Sequence, residues 1–513
     1  MDKIGVLLSS AFTSGSLEVE FGTVPSSFIP FKNQRLYVQQ VNFLKGQNCA
    51  KVHLYLPVGF QLPFFDEEVL SELGVEVFYS SPYYSAFQAY QNVLLDFYNR
   101  NGAFEVLFLF GDTHIEIGHL IKSDTLLVNT ASYNYKWSLV DDSDFVNVGC
   151  FLITIDQVVI EHIFKSGLQS YDQYFSYLIK DSINLERDFI WYDFGHLFTY
   201  YESLTNDFIL REFNEIKYLD GIIYKSSSDT QKLDREINWY EDLPTRLKVY
   251  SPRIIECSKG EKTFYAMEYV RAPTLSSLAV FGNLQLDQWD TIFKSVFGFI
   301  IKSRVEKQDK SKNLLEIVRS KTMERITNYP VGYSHISQVS HDKLMDMIDI
   351  VNSELDGCFT AMPAYSHGDL CFTNIMYDSK SAAIKCIDPR GRSRNKAGQT
   401  ISEFDDSQYD LAKLMHSIFG GYDLIINNRY YLDRQYIGSL ELPDLATKQW
   451  SSLRVLFRDG FINEFGLDAF KSSYLLSIHL FISMVPLHYD CQNRQMAFLQ
   501  NAFRLFDERN QWF

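Results

Sequence analysis

Cysteine is scarce in this chain of 513 residues, and the cysteines that are present form no motif. The seven are scattered, odd in number and without a C-x-x-C pair: Cys49, Cys150, Cys257, Cys358, Cys371, Cys386 and Cys491. Structural zinc sites and disulfide frameworks need closely spaced or paired cysteines. The sequence therefore predicts reduced thiols, no zinc site and no disulfide bonds, the usual state of cysteine in the cytosol.

Positive charge is also in deficit. The chain has 48 lysines and arginines against 64 aspartates and glutamates, which gives a net charge of −16. Nucleic acids and anionic membrane surfaces are bound by basic protein faces. We therefore expect neither as a partner.

The sequence also shows no targeting segment and no membrane-spanning segment. Residues 1–4 run directly into a strand-like segment, which predicts that no signal peptide precedes it. The most apolar late run, residues 474–489, contains His479, Ser483 and His488 and is shorter than a membrane span. We expect this run to be a buried helix, in a cytoplasmic protein with no membrane span.

The first half of the chain alternates between strand-like and helix-like segments. Apolar, strand-like runs occupy residues 3–10, 50–57, 75–80, 105–111, 125–130 and 146–153. Helical spacing occurs at residues 34–45, 85–101 and 157–165. This alternation predicts a mostly parallel sheet with helices on both faces, and ligands at the carboxyl ends of its strands.

Two strand ends in this half carry an aspartate within two positions of a glycine, namely Gly111-Asp112 and Asp193-Phe194-Gly195. They resemble the sugar-phosphate nucleotidyltransferases, in which a G-D strand end and a later W-x-D-x-G turn each supply one aspartate to Mg²⁺. The resemblance implies a Rossmann-like (GT-A-type) α/β domain over residues 1–205. It also implies that Asp112 and Asp193 are metal ligands, with CTP or another nucleoside triphosphate as the nucleotide.

The phosphate-binding part of that family pattern is incomplete. Residues 9–16 (SSAFTSGS) contain one glycine and no arginine, and Ser26 stands where the family has a lysine. Phosphates bound without these cations lack charge-assisted contacts that stabilise the transition state. Two alternatives stay open: either the ligand is held differently, or this half binds a ligand without catalysis.

The pattern of strand-like and helix-like segments changes from about residue 206. Strand-like residues 208–218 and 222–226 are joined by an Asp-Gly turn, and a helical stretch (231–243) and a hairpin (253–257 with 263–269) follow. This order resembles a kinase small lobe. Helical stretches dominate the remainder of the chain, which predicts an α+β protein-kinase-like domain with a small β-rich lobe (206–271) and a large helical lobe (272–513).

The stretch most informative about chemistry is residues 366–391. His367-Gly368-Asp369 form a short polar turn, Asn374 lies five positions after Asp369, and a predicted strand over residues 383–387 ends at Asp388. Two carboxylates and an amide oxygen are hard ligands suited to Mg²⁺. Phosphoryl transfer needs such ligands for the metal, and a carboxylate that takes the proton of the acceptor hydroxyl.

This spacing is similar to the H-G-D-x-x-x-x-N … I-D signature of the aminoglycoside phosphotransferase and choline kinase superfamily. The resemblance implies ATP and Mg²⁺ as cofactors, Asp369 as the catalytic base, and Asn374 and Asp388 as the magnesium ligands. Arg390 is expected to contact an acidic acceptor or the transferred phosphoryl group, with a structural salt bridge as the alternative.

The same resemblance extends to the small lobe. It implies that Lys225 contacts the ATP phosphates and that Glu236, on the following helix, orients Lys225. It also implies that a hinge containing Glu268 and Val270 faces the adenine with its backbone. A later segment is similar to the family's D-L-A helix start, where Asp410 would cap the helix and brace the catalytic loop.

Together these features predict a bifunctional cytoplasmic enzyme. The second half would phosphorylate a hydroxyl of a small molecule (a sugar, polyol or amino alcohol), and the first half would make or bind a nucleotide-activated precursor. The chain resembles bacterial proteins of capsule and surface-polysaccharide biosynthesis. The alternatives are a kinase with a catalytically silent nucleotidyltransferase-like domain, or a pseudoenzyme scaffold. The sequence leaves the acceptor, the first domain's nucleotide and the oligomeric state open.

Overall fold

A computed structural model describes residues 3–80, 86–101, 104–130, 145–165, 168, 173–174, 183–205, 214–260, 263–305, 314–328, 338–395, 398, 400–432 and 440–513. The chain forms two compact units. Unit 1 is Met1–Asp207 with Phe281–Asn283, and unit 2 is Phe208–Val280 with Leu284–Phe513. The domain boundaries drawn from the sequence stay predictions, and the first of them adjoins residues 206–213, which lie outside the described residues.

Unit 1 is built on a mixed sheet. Its strands are β1 (Lys3–Leu8), β2 (Pro30–Phe31), β3 (Gln34–Arg35), β4 (Lys51–Pro57), β5 (Val75–Ser80), β6 (Phe104–Phe110), β7 (Thr113–Glu116), β8 (Thr125–Thr130), β9 (Phe145–Ile155), β10 (Asn184–Glu186) and β11 (Ile190–Asp193). Seven of them pair in the order β10-β8-β9-β6-β1-β4-β5. Every neighbouring pair is parallel except those of β9 with β6 and β8. The sheet is thus mostly parallel, as predicted, with one strand reversed.

Helices cover both faces of this sheet. They are α1 (Ser16–Phe21), α2 (Leu36–Gly46), α3 (Phe64–Glu72), α4 (Ala86–Asn101), α5 (Gln157–Lys165) and α6 (Leu197–Thr205). Successive residues of a strand point to opposite faces. In β1, Val6 joins the apolar cluster that contains Tyr90 of α4 and Ile163 of α5, whereas Gly5 lies against Leu44 of α2.

The centre of the sheet positions the acidic strand end at Asp112. In the parallel pair of β1 and β6, Leu8 lies opposite Phe110, and the Gly111 N–H donates to the Leu8 carbonyl at 2.9 Å. The chain segments that leave these two strands therefore start side by side, at the edge where α/β sheets hold their ligands.

Unit 2 begins with a small antiparallel sheet. The strands of the unit are β12 (Asn214–Leu219), β13 (Ile222–Ser227), β14 (Ile254–Ser258), β15 (Phe264–Glu268), β16 (Ile375–Asp378), β17 (Ala383–Cys386), β18 (Ser393–Arg394), β19 (Thr400–Ile401), β20 (Tyr431–Leu432) and β21 (Leu440–Glu441). The first four pair in the order β12-β13-β15-β14. Asp220 (φ 49°) and Gly221 (φ 82°) join β12 to β13, and this left-handed pair suits a tight hairpin turn.

Helices make up most of the rest of unit 2. They are α7 (Thr230–Glu241), α8 (Leu275–Phe281), α9 (Leu286–Ser303), α10 (Leu314–Asn328), α11 (Gln338–Cys358), α12 (Ser407–Ile418), α13 (Tyr422–Ile426), α14 (Pro443–Ala446), α15 (Lys448–Phe465), α16 (Leu467–Met484) and α17 (Gln492–Trp512). By length and composition the segment Leu467–His488, which begins with α16, could cross a membrane, but most of it is buried among other residues of the protein. That burial is typical of a core helix.

Candidate functional site

A cavity of about 550 Å³ in unit 2 contains most of the site residues predicted for the second half of the chain. Lys225 and Asp388 are 163 residues apart in sequence, yet their side chains are in contact. The predicted residues that line the cavity are Lys225, Glu236, Asp369, Asn374, Asp388 and Arg390. The geometry therefore brings together the groups that the sequence assigned to phosphoryl transfer.

Lys225 lies on β13 and bridges two acids. Its Nζ is 2.7 Å from Oε2 of Glu236 on α7 and 2.9 Å from Oδ1 of Asp388. Burial by itself would lower the pKa of Lys225, but Asp388 and Glu236 outweigh that effect and raise it. The Tyr265 hydroxyl also donates to Glu236, at 3.1 Å. The ammonium group is thus charged and fixed at the wall of the cavity.

A β-hairpin places Asn374 and Asp388 at the same end of two strands. Ile375 of β16 pairs with Cys386 of β17, and the Ile387 N–H donates to the Asn374 carbonyl at 2.9 Å. Asp388 follows in a left-handed conformation (φ 53°) with its side chain 46% exposed. The Asn374 amide donates to the Asp369 carbonyl oxygen (2.9 Å) and carboxylate (3.2 Å).

These oxygens fit a hard divalent cation. Within the described ranges, no group of three or more His, Cys, Asp or Glu side chains could hold a metal ion alone. Mg²⁺ is commonly held by one or two carboxylates together with substrate phosphates and water. Asp388 and Asn374 both line the cavity, and a carboxylate and an amide oxygen suit an ion of that kind.

Asp369 is paired with a lysine that the sequence reasoning missed. Lys413 Nζ lies 2.9 Å from Asp369 Oδ1. Burial would raise the pKa of Asp369, but Lys413, and to a smaller degree Arg390, lower it to about 2. Asp369 is therefore ionised at neutral pH. Lys413 is on α12, three positions after Asp410 and so on the same helix face, which is the one signal that could have identified it.

Asp410 holds the turn that carries Asp369, but it does not cap the helix. Its carboxylate accepts hydrogen bonds from the N–H groups of His367 and Gly368, both at 2.8 Å. The predicted bracing is therefore observed. The predicted capping is wrong, because Asp406 is the N-cap of α12 and accepts from the Gln408 N–H at 2.8 Å.

Arg390 lines the cavity through contacts other than an ion pair. Its guanidinium lies 4.3 Å from the Phe404 ring centre and donates to the Tyr409 hydroxyl at 3.2 Å. Its backbone N–H donates to the His367 carbonyl at 3.0 Å. The alternative of a structural salt bridge finds no carboxylate partner among the described residues.

Glu268 and Val270, the predicted hinge residues, do not line this cavity. The Glu268 carboxylate instead accepts from the Arg253 N–H at 3.0 Å and lies 3.9 Å from Lys385 Nζ. The half-buried Val270 follows the end of β15. Their assignment to adenine stays a prediction.

In unit 1 the two predicted metal ligands are neighbours. Asp193, on β11, pairs with Thr113, and the Phe194 N–H donates to the Asp112 carbonyl at 2.8 Å. A Cβ added at Gly195 would lie 3.0 Å from Asp112 Oδ2 and 3.2 Å from Asp193 Oδ1. Burial, and then the charge of Asp193, raise the pKa of Asp112 to about 6.

No protein-family model and no curated protein matches the chain. Among solved structures, it is similar to the GDP complex of an aminoglycoside 2'-phosphotransferase-IIIa mutant, with 12% identity over 59% of this chain and 90% of that one and a TM-score of 0.39. It is also similar to choline kinase from Cryptosporidium parvum Iowa II, with 12% identity over 60% of this chain and 90% of that one and a TM-score of 0.33.

A third similarity is to CTP:phosphocholine cytidylyltransferase from Streptococcus pneumoniae, with 15% identity over 40% of this chain and 98% of that one and a TM-score of 0.29. Both predicted classes, phosphotransferases and nucleotidyltransferases, are therefore among the matches, at low identity and over part of this chain each. Similarity of this degree identifies neither a substrate nor a reaction.

Proposed function

We propose that unit 2 transfers a phosphoryl group from ATP to a hydroxyl group of a small molecule, with Mg²⁺ as cofactor. The observation that carries this proposal is the pair of contacts that Lys225 makes with Glu236 (2.7 Å) and Asp388 (2.9 Å), in the cavity that Asp369 also lines. A buried lysine fixed between two acids is suited to hold a phosphate, because its charge and position need no reorganisation when the ligand arrives.

Asp369 is assigned to the acceptor. The hydroxyl oxygen forms a bond to the γ-phosphorus, the bond from that phosphorus to the bridging oxygen of ADP breaks, and ADP leaves with the electron pair. The Asp369 carboxylate orients the hydroxyl group and takes its proton. Because Lys413 keeps this carboxylate ionised, it is ready to accept a hydrogen bond throughout the neutral pH range.

Asp388 and Asn374 are assigned to the metal ion. Mg²⁺ held there would neutralise negative charge on the ATP phosphates. The protein's part is to hold those two oxygens at one end of the β16–β17 hairpin.

Asp369→Asn tests the proposal in the full-length protein. With ATP, Mg²⁺ and a metabolite pool, the unmodified protein should yield a phosphorylated product detectable by mass spectrometry. Asp369→Asn should lower that rate by about a thousandfold, in the range reported for loss of an acid–base group. Asp290→Asn, at a partly exposed aspartate on α9 that pairs with Lys294, is the matched control. Equal turnover of the Asp369 and Asp290 variants would refute the assignment.

For unit 1 we propose a cation-dependent nucleotide site at Asp112 and Asp193, as part of a protein that acts in surface-polysaccharide biosynthesis. This proposal is supported by the position of both carboxylates, which lie close to Gly195. Residues 9–16, which start beside Gly111, carry no lysine or arginine, and this favours binding over transfer.

Two measurements separate these alternatives for unit 1. Binding of CTP that needs Mg²⁺ and is lost in Asp112→Asn, without pyrophosphate release from CTP and any of a panel of sugar phosphates, would establish a binding unit. Pyrophosphate release would establish a transferase. CTP binding that is unchanged in Asp112→Asn would place the nucleotide elsewhere.

A further inference from the structure

The wall of the unit 2 cavity that includes α10 is basic, although the protein as a whole has a net charge of −16. Lys321 and Arg325 of α10, Lys413 of α12 and Arg390 all line the cavity. Lys413 is neutralised by Asp369 at 2.9 Å. The other three cations extend the basic wall beyond the catalytic carboxylate.

Lys321 and Arg390 share one aromatic neighbour. The Lys321 ammonium lies 5.1 Å, and the Arg390 guanidinium 4.3 Å, from the centre of the Phe404 ring. A ring face attracts cations, so Phe404 holds two like charges close together. Within the part of the chain that the structure describes, neither of these cations forms an ion pair with a carboxylate.

The histidines of the cavity do not add to this charge. His416 is buried between the rings of Tyr422 (4.4 Å between ring centres) and Phe481 (4.1 Å), and burial lowers its pKa well below the ordinary value. Burial also lowers the pKa of His488 to about 4. Both rings are neutral at physiological pH. The positive charge that faces a ligand here is therefore that of the lysines and arginines.

Two half-buried cations that, among the described residues, form no ion pair with a carboxylate are unfavourable for the empty protein. Burial, followed by the charges of Arg390, Arg325 and Lys413, lowers the pKa of Lys321 to about 7. An anion placed between Lys321 and Arg390 would remove that repulsion and make charge-assisted hydrogen bonds with both.

The basic wall is continuous with the acceptor side of the proposed reaction. Arg390 packs against the turn that carries Asp369, since a Cβ added at Gly368 would lie 2.9 Å from the Arg390 Cβ. Arg390 also contributes to the low pKa of Asp369. A molecule whose hydroxyl reaches Asp369 would thus present its remaining groups to these cations.

We propose that the acceptor phosphorylated by unit 2 carries an anionic group, a phosphate or a carboxylate, which Lys321 and Arg390 bind. This inference rests on the proposed phosphotransferase function and narrows its substrate class. A hydroxylated acid or a sugar phosphate fits. A cationic amino alcohol such as choline does not, because it would bring a further positive charge to a basic wall.

Binding measurements test this without turnover. Calorimetric titration of the full-length protein, loaded with ADP and Mg²⁺, should show binding of glycerol 3-phosphate or of glycerate, and no binding of choline or ethanolamine. Comparing the titration with glycerol 3-phosphate and the titration with glycerate shows whether the site prefers a phosphate or a carboxylate. Binding of either supports the proposal, whereas binding of choline alone would overturn it.

Substitutions then locate the site. Lys321→Gln and Arg390→Gln should each weaken binding of the preferred anion by about tenfold or more, since each removes a charge-assisted contact. Lys321→Arg, which keeps the charge, should stay within about threefold of the unmodified protein. Lys294→Gln, at an exposed lysine on α9, is the control. Anion binding that both Lys321→Gln and Arg390→Gln leave intact would overturn the proposal.

The donor phosphates are the competing ligand for these cations. If Lys321→Gln weakens ADP binding and leaves anion binding intact, the basic wall serves the nucleotide and the inference is wrong. The outcome is separable from the fate of the proposed reaction. If the protein binds the anion but transfers no phosphoryl group, the proposed function is refuted and the anion site stands. If it transfers a phosphoryl group to a cationic acceptor, the proposed function stands and the anion site is refuted.

Discussion

At the scale of single residues, the site depends on charges that hold one another in place. Lys225 is buried between Glu236 and Asp388, and Lys413 stands against Asp369. Removing one member of such a set leaves a buried or half-buried charge without its partner, which is more costly than the loss of one contact. The effect of each substitution on activity therefore has to be measured together with its effect on stability.

Lys225→Met should lower kcat/KM for phosphoryl transfer by about a hundredfold or more, equivalent to about 2.7 kcal/mol, because the phosphates lose their fixed cation. Steady-state kinetics with varied ATP measures the effect. Lys217→Met, an exposed lysine on the neighbouring strand β12, is the control. Because Lys225→Met leaves Glu236 buried without its ion-pair partner, the double variant Lys225→Met/Glu236→Gln should be more thermally stable than Lys225→Met without regaining activity. Full activity in either variant would contradict the assignment.

If Lys321 binds the anion as proposed, the pH dependence of that binding should follow the charge of Lys321. Its pKa in the folded protein is about 7, lowered by burial and by Arg390, Arg325 and Lys413, and raised slightly by Glu403. Lys321 is thus charged below pH 7 and loses its proton above it, so affinity for an anion should fall as pH rises through about 7 to 9. Titrations across this range measure the trend.

Lys321→Arg supplies the control for this pH effect. Arginine stays charged over the whole range, so the fall in affinity above pH 7 should disappear in this variant. If both proteins respond to pH in the same way, another group controls the binding.

The site was predictable from sequence where its residues are close together along the chain. Asp369, Asn374 and Asp388 lie within one turn and one hairpin, and local spacing was enough to group them. Lys413 and Lys321 come from helices that no spacing rule connects to that turn. A lysine on an amphipathic helix has the same sequence signal whether it faces solvent or a cavity.

At the scale of elements, the loop after β17 is fixed against α7 by glycine. Gly391 has φ 90°, and a Cβ there would lie 2.5 Å from the Arg235 backbone carbon. The following N–H, of Arg392, donates to the Arg235 carbonyl at 2.9 Å. The close approach therefore requires a residue without a side chain.

Gly391→Ala should destabilise the protein by about 2–4 kcal/mol, because it adds a backbone overlap to the cost of a left-handed alanine. Gly466→Ala is the matched control, since Gly466 has φ 87° with open space around it. Chemical unfolding of the two variants separates the cost of the backbone overlap from the cost of a left-handed alanine. Equal losses would show that the loop yields to the added methyl group.

Strand and helix positions were largely predictable, and the exceptions have a local cause. The spacing of apolar residues over 442–457 predicts one helix, whereas the structure has α14 and α15 with Thr447 between them. The Thr447 hydroxyl accepts from the Trp450 N–H at 3.3 Å and caps α15. Continuous apolar spacing conceals such a break, because both helices bury the same kind of side chain.

At the scale of the whole molecule, all seven cysteines are free thiols and most are hidden. Cys49, Cys150, Cys371 and Cys386 are buried, and burial raises the pKa of each, to about 12 for Cys49 and for Cys371. A thiol must lose its proton to react. The native protein should therefore be almost inert at these four positions.

Titration with a thiol reagent checks this. At most the three half-buried cysteines, Cys257, Cys358 and Cys491, should react in the native protein, and all seven after denaturation. Mass mapping of the labelled peptides identifies the sites. Fast native labelling of Cys371, which lines the cavity, would contradict the expected inertness, and slowing of that labelling by ADP would place the nucleotide there.

The division between the two units at Asp207 lies beside residue 206, where the sequence pattern changes. The short return of the chain at Phe281–Asn283, which belongs to unit 1, leaves no signal in that pattern. Asn283 there lies beside Gly22, where an added Cβ would meet the Asn283 carbonyl oxygen at 2.1 Å. Such a contact depends on long-range packing, which periodicity does not report.

The helix that carries Glu236 is held by three hydrogen bonds at the two successive residues Asn238 and Trp239. The Asn238 amide donates to the Arg392 carbonyl (2.9 Å), the Trp239 indole donates to the Ser366 carbonyl (2.8 Å), and the Tyr365 hydroxyl donates to the Trp239 carbonyl (2.8 Å). A helix anchored in this way cannot swing outward and carry its glutamate away from Lys225 without breaking all of these ties. We therefore expect Glu236 to stay beside Lys225 whether or not a ligand is bound, so that the proposed phosphotransferase activity would follow the supply of substrates rather than an on–off switch.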